Sequence, residues 1–234
     1  SCLRGHVGIE LLRLLDSCGR RGALVAPAYP RLGRTTVNNI HYVLGVPVAE
    51  SEAGRDPVRP VKSSLLSENL ALGHDEPVGA IGLNVLEKGE EILIQEIEHE
   101  LKKGRRLIAV DAATEEHLAL IAKTALKFFP DLVLSGSGGL ARAVIDNLPY
   151  PAEGAAACPP APEFRLSGLP ALFVGGSAST ILREQLENLA KDQQVFISVL
   201  NARKVLWGLS DNEKYDLSVR LDDSDLILCL SPPE

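Results

Sequence analysis

The chain has 234 residues and carries 24 Lys/Arg against 31 Asp/Glu, a formal net charge of -7. With 45% hydrophobic, 24% charged and 4% aromatic residues, it falls among globular proteins, and disordered, collagenous and coiled-coil classes are excluded. No apolar run reaches the ~18 residues of a membrane-spanning helix, and the acidic balance argues against a nucleic-acid binder.

Taken in order, the first residues (Ser1 to Gly8) lack the long apolar core of a signal peptide. Val7, Leu11, Leu14, Leu15 and Cys18 trace one face of a first helix, which predicts a buried Cys18, and Gly19 suits its C-terminal stop. A strand over Ala23–Ala26 leads into Pro27-Ala28-Tyr29-Pro30-Arg31-Leu32-Gly33-Arg34-Thr35-Thr36. Open α/β sheets bind ligands at the carboxyl ends of strands, where this loop lies. Its prolines stiffen it, Gly33 permits close approach, and Arg34 with two hydroxyls supplies donors for an anion.

Further strands are predicted over Ala80–Val85, Leu107–Val110, Leu132–Leu134, Leu172–Val174, Phe196–Leu200 and Leu226–Leu230, the last containing a buried Cys229. Helices are predicted over Glu90–Lys102 and Thr114–Phe129, and from Ser179 through Leu182, Leu186 and Leu189. Thr114 is placed as a cap, with Glu115 and Glu116 at the positive helix end. Asp111, at a strand end, reads as part of the approach to that cap, with a proton acceptor as the alternative.

The alternation predicts an α/β fold, a mainly parallel sheet with flanking helices, followed by the start of a second α/β domain. Six prolines between 149 and 170 suit a semi-rigid linker between a domain over 1–148 and a remainder over 171–234. The absence of Met and the small remainder give the impression of a piece of a longer chain.

Charge is uneven: residues 1–62 hold nine Lys/Arg, among them Arg4, Arg31, Arg34, Arg55 and Arg59, and five Asp/Glu. A cationic segment in an acidic body suits a small anionic ligand, because the planar guanidinium matches carboxylate or phosphate. Cysteines at 2, 18, 158 and 229 form no C-x-x-C pair, so reduced thiols and a cytoplasmic setting are expected. The five histidines are dispersed and no metal site is predicted.

Two junctions, 134–141 and 174–180, are rich in Gly and Ser. Each is read as a tight turn capped by Ser or as an anion cradle at a helix start. No G-x-x-x-x-G-K-[ST] and no G-x-S-x-G occurs. Gly136 to Ala141 meets only the loose dinucleotide pattern, without an acidic ribose partner in context, so a nicotinamide-dependent dehydrogenase is a weak alternative.

Ser1-Cys2-Leu3-Arg4-Gly5, Val25-Ala26-Pro27-Ala28-Tyr29-Pro30 and Gly33-Arg34-Thr35-Thr36 together resemble the four-carbon acid sugar kinase family. The resemblance continues through Gly45-Val46-Pro47, Asp56-Pro57, Val110-Asp111-Ala112 with Thr114, Gly136-Ser137 with Gly139-Leu140-Ala141, and Gly176-Ser177-Ala178-Ser179. It implies phosphorylation of threonate, erythronate or 3-oxo-tetronate by ATP with Mg²⁺. Arg4, Gly33, Arg34, Thr35 and Ser137 would then face the sugar acid, and Ser177 and Ser179 the nucleotide phosphates. No catalytic residue is assigned; the base is expected in an Asp-containing N-terminal element that precedes the first motif in the family. Cys2 stands where the family usually has Thr, and the glycine-rich loops that complete the ATP site would lie beyond Glu234. This chain alone is therefore expected to be inactive. The expected partners are a sugar acid and ATP, with no nucleic acid and no membrane, and a homo-oligomer is left open. The rival from another class is a non-catalytic sugar-acid or phosphate-binding module.

Overall fold

The computed structural model describes residues 3–56, 59–148, 172–176, 180–192, 195–201, 208–223 and 225–231. The chain forms two compact units, Ser1–Glu153 and Gly154–Glu234. The proline-rich stretch 149–170 lies outside the described residues.

The first unit is built on four parallel strands in the order β5-β6-β1-β7: β1 (Gly22–Ala26), β5 (Val78–Ile81), β6 (Leu107–Val110) and β7 (Leu132–Gly136). The two inner strands, GALVA and LIAV, are buried at every position. That is the pattern of a parallel strand covered on both faces. Successive side chains serve opposite faces. Leu24, Ala26, Ile108 and Val110 join α4 (Glu90–Lys102), α5 (Glu115–Phe128) and α6 (Gly138–Asn147) through Leu93, Ile97, Leu118, Ile121 and Leu140. Ala23, Val25, Leu107 and Ala109 instead meet α1 (Val7–Cys18) and α2 (Leu66–Ala71) through Leu11, Leu12, Leu15, Leu66 and Leu70.

Three expectations need correction. The buried face of α1 runs through Gly8, Leu11, Leu12 and Leu15, so Leu14 and Cys18 point to solvent. The helix is turned because Gly8, bare of a side chain, lies against α2: a Cβ there would stand 1.7 Å from the Leu70 carbonyl oxygen. The strand expected over Ala80–Val85 stops at Ile81, and Leu83–Leu86 forms one helical turn, α3. Gly82 makes the bend and Leu86 returns to the core. Finally, Asp111 does not approach the cap of α5. Thr114 caps that helix by accepting the His117 N–H, and Asp111 turns toward a different segment.

That segment was not foreseen. β2 (Arg34–Val37), β3 (Ile40–Val43) and β4 (Val46–Pro47) form an antiparallel ribbon. Its first turn places Asn38 and Asn39 at φ 53° and 64°, its second Leu44 and Gly45 at 52° and 79°. Two successive positive φ values mark type I′ hairpins, whose twist matches that of the strands, and asparagine tolerates this conformation. Leu44 pays for it with strain.

At the amino end of β6, Glu100 is 2% exposed and accepts from Arg105 at 2.5 Å and Lys103 at 3.2 Å. In the second unit, β8 (Leu172–Gly175), α7 (Thr180–Asp192), β9 (Val195–Asn201), α8 (Asp211–Asp223) and β10 (Asp225–Ser231) follow one another. The strands pair in parallel in the order β8-β10-β9. Cys229 lies in β10; the environment of its side chain falls outside what is described.

Candidate functional site

The carboxyl ends of β1, β6 and β7 bring three loops together, because a parallel sheet points all its strand ends the same way. The loop after β1 closes on itself through main-chain hydrogen bonds. Tyr29 N–H donates to the Arg34 oxygen at 2.8 Å, and Arg34 N–H returns to the Tyr29 oxygen at 3.1 Å. A single turn over Pro30–Leu32 fills the bend, and Gly33 ends it at φ 66° with its N–H on the Pro30 oxygen. Gly33 takes that positive φ without strain, and a Cβ there would stand 2.5 Å from Leu44 Cδ2. From outside, Glu115 at the start of α5 accepts the Arg31 N–H at 2.9 Å.

The same loop is tied to the β7–α6 junction. The Ser137 hydroxyl, on a residue 8% exposed, donates to the Ala28 carbonyl and accepts the Gly139 N–H at 3.0 Å. The Tyr29 ring lies over the first turn of α6, where a Cβ on Gly138 or Gly139 would come within 3.2 or 3.0 Å of it. The junction is thus a serine-capped turn roofed by an aromatic ring. Arg34 and Thr35 follow on β2, both half-buried. Among the described residues Arg34 has no acidic partner.

Arg4 is placed differently. It pairs with Asp56 beside Leu3, which belongs to the α1-side core, whereas Ser137 caps a helix on the opposite face. Asp56 also accepts the Arg59 N–H at 2.8 Å. Arg4, Gly5, Glu10, Asp56 and Arg59 line an open groove of about 380 Å³. Gly33, Arg34, Thr35 and Ser137 therefore gather around one loop, and Arg4 lies in a groove already supplied with carboxylates. Ser177 and Ser179 are outside the described residues.

Asp111, at the end of β6, is 2% exposed. Oδ1 accepts the Asn39 N–H at 3.0 Å, and Oδ2 has no hydrogen-bond partner among the described residues. Burial pushes the carboxyl above its usual value, opposed by the amides of Asn39, Asn38 and Leu83. Next to it, Thr36 and Ala112 exchange main-chain hydrogen bonds of 2.8 and 3.0 Å, so β2 is stitched to the end of β6. The anchors Tyr29, Glu115 and Asn39 were missed by sequence reasoning. Tyr29-Pro30 was visible as a loop, but nothing local shows that the ring meets Gly138 and Gly139.

Elsewhere, Glu96, His99 and Glu100 bring ligand-type atoms within 4.8 Å. Glu100 is engaged by Arg105 and Lys103, at the end of the sheet away from these loops. Among the described residues no helix is long and apolar enough to cross a membrane.

A family model for a sugar-binding N-terminal domain matches residues 1–144. D-threonate kinase of Salmonella typhimurium is 30% identical over 229 residues, covering 97% of this chain and 50% of that protein. D-erythronate kinase of Heliobacterium modesticaldum is 30% identical, covering 80% and 40%. 3-Oxo-tetronate kinase of Escherichia coli is 32% identical, covering 61% and 37%. The chain spans half or less of the length of these curated relatives. Among solved structures, one from Salmonella typhimurium LT2 superposes with a TM-score of 0.66 at 20% identity, over 99% of this chain and 54% of that one. A Haemophilus influenzae protein gives 0.51 at 21% identity, over 94% and 52%. These structures establish a shared fold.

Proposed function

Because this chain belongs to the sugar-binding N-terminal domain family of the four-carbon acid sugar kinases, we propose that it holds the acid substrate of an ATP-dependent sugar-acid kinase. The substrate class is threonate, erythronate or 3-oxo-tetronate, as in the names of its relatives. The observation that carries the reading is Arg34: half-buried, fixed by main-chain pairing at a strand end, and free of any carboxylate among the described residues. A guanidinium so placed has its fork available for a small carboxylate.

Thr35 and the Gly33 main chain lie beside it for the hydroxyls. Ser137 has already used its proton on Ala28, so its remaining capacity is to accept. It suits a sugar hydroxyl and not the carboxylate. Arg4, balanced by Asp56, would turn to the acid on exchange of partners. ATP is the proposed phosphoryl donor, with Mg²⁺ neutralising phosphate charge and Ser177 and Ser179 as proposed phosphate contacts. Phosphoryl transfer depends chiefly on positioning and charge neutralisation, and this chain's residues supply the positioning of the acceptor.

The test is Arg34→Ala, read by calorimetric titration with D-threonate, D-erythronate and 3-oxo-tetronate. Losing one charged hydrogen-bond pair is worth about tenfold or more. Affinity for the preferred acid falls by that much while the thermal midpoint of the variant stays. Unchanged acid affinity in a folded variant removes Arg34 from the acid site.

A further inference from the structure

Asp111 combines three properties that cost the fold stability. It is a carboxylate 2% exposed, it lacks a counter-charge among the described residues, and its Oδ2 goes without a hydrogen-bond partner there. Burying an acceptor unsatisfied costs stability. What Asp111 does have is a long-range bond. Oδ1 accepts the main-chain N–H of Asn39, the second central residue of the turn between β2 and β3.

Asn39 is itself a junction. Its side chain donates to Ser67 Oγ at 2.6 Å and accepts the Ser67 N–H at 3.0 Å, and its carbonyl accepts the Leu66 N–H at 2.7 Å. The turn is thereby held between β6 and α2. Two residues from it, Thr36 carries the main-chain stitch to Ala112, so the far end of β2 is fixed on the strand that ends in Asp111. The near end of β2 is Arg34 and Thr35.

We infer that Asp111 is a positioning residue for the sugar-acid site: its bond to the Asn39 amide holds the β2–β3 hairpin in the register that presents Arg34 and Thr35 to the acid. The inference rests on the function proposed above. Asp111 acts through the hairpin and touches no substrate in this role.

Two readouts keep it separable from that function. In Asp111→Ala, amide exchange is expected to speed up about tenfold or more within residues 34–43, since a hydrogen bond to a charged acceptor is worth that much. Amides of β1 and β6 keep their protection. Titration of the same variant with D-threonate, D-erythronate and 3-oxo-tetronate is expected to show about a tenfold weaker preferred acid. Should Asp111→Ala not fold, Asp111→Asn carries the test. It keeps an oxygen for Asn39 but removes the charge of that acceptor, and faster exchange over 38–43 is expected from it too. Unchanged hairpin exchange in a folded variant overturns the inference, as does an equal loss of protection across β1 and β6. A loosened hairpin with unaltered acid affinity overturns the positioning role as well. If the wild-type chain binds none of the three acids, the proposed function fails, and the exchange data still decide whether Asp111 holds the hairpin.

Discussion

Replacing Ser137 by alanine removes one hydroxyl that joins two loops. The Gly139 N–H loses its acceptor, the loss of a helix N-cap, which costs about 1 kcal/mol. The Ala28 carbonyl, on a residue 0% exposed, loses its donor. A buried acceptor left unsatisfied costs about 1–3 kcal/mol, and the saving from no longer burying the hydroxyl recovers part of it. The sum is about 2–3 kcal/mol, which for a unit of this size lowers the midpoint by about 4–12 °C. The assay is thermal and urea unfolding followed by far-UV circular dichroism. Fluorescence would mislead, because the one tryptophan, Trp207, is in the other unit. Ser17→Ala, which removes an exposed hydroxyl bonded to Leu14, serves as control and shifts stability by no more than about 0.5 kcal/mol. A Ser137→Ala effect as small as the control's would refute the claim that this hydroxyl fastens the β1 loop to α6.

Gly8→Ala places a methyl against main chain that has no freedom to withdraw, 1.7 Å from the Leu70 oxygen. It should cost about 3 kcal/mol in chemical unfolding, with the loss of protection concentrated in α1 and α2. Glu100→Gln should cost about 1–2 kcal/mol at neutral pH. Burial raises the Glu100 carboxyl, but the hydrogen bonds and charges of Arg105 and Lys103 together hold it below its usual 4.5. The wild-type pair thus contributes fully above about pH 4.5 and is lost as pH falls through the lowered value. The gap between wild type and variant should close on acidification in a pH series of urea midpoints, and a constant gap would count against the ion pair as its cause.

The parts of the fold legible in the sequence are those specified by nearby residues. β1 and β6 are short apolar runs between turn formers, and α5 announces itself through Thr114 and two glutamates. The face of α1 was misjudged because Leu14 and Leu12 satisfy the helical period equally well. Only the bare Cα of Gly8 against Leu70 decides between them, and that contact is tertiary. The hairpins escaped because RTTV and IHYV carry no clear alternation, and because Leu44 adopts a backbone conformation that its side chain disfavours. At the site, the loop carrying Gly33, Arg34 and Thr35 could be placed from the strand before it. Its anchors could not: Asn39 and Asp111 are 72 positions apart, and no local pattern links an asparagine turn to a distant strand end.

The Tyr29–Arg34 loop keeps its shape through bonds between main-chain atoms, and its outer anchor, Glu115, also grips an amide. Side chains at 31, 32, 34 and 35 are therefore spared the task of maintaining the loop they sit on. Such a division of labour lets those side chains be exchanged one at a time, each step leaving the scaffold intact. Gly33 and Ser137, by contrast, belong to the scaffold itself and do not share that freedom.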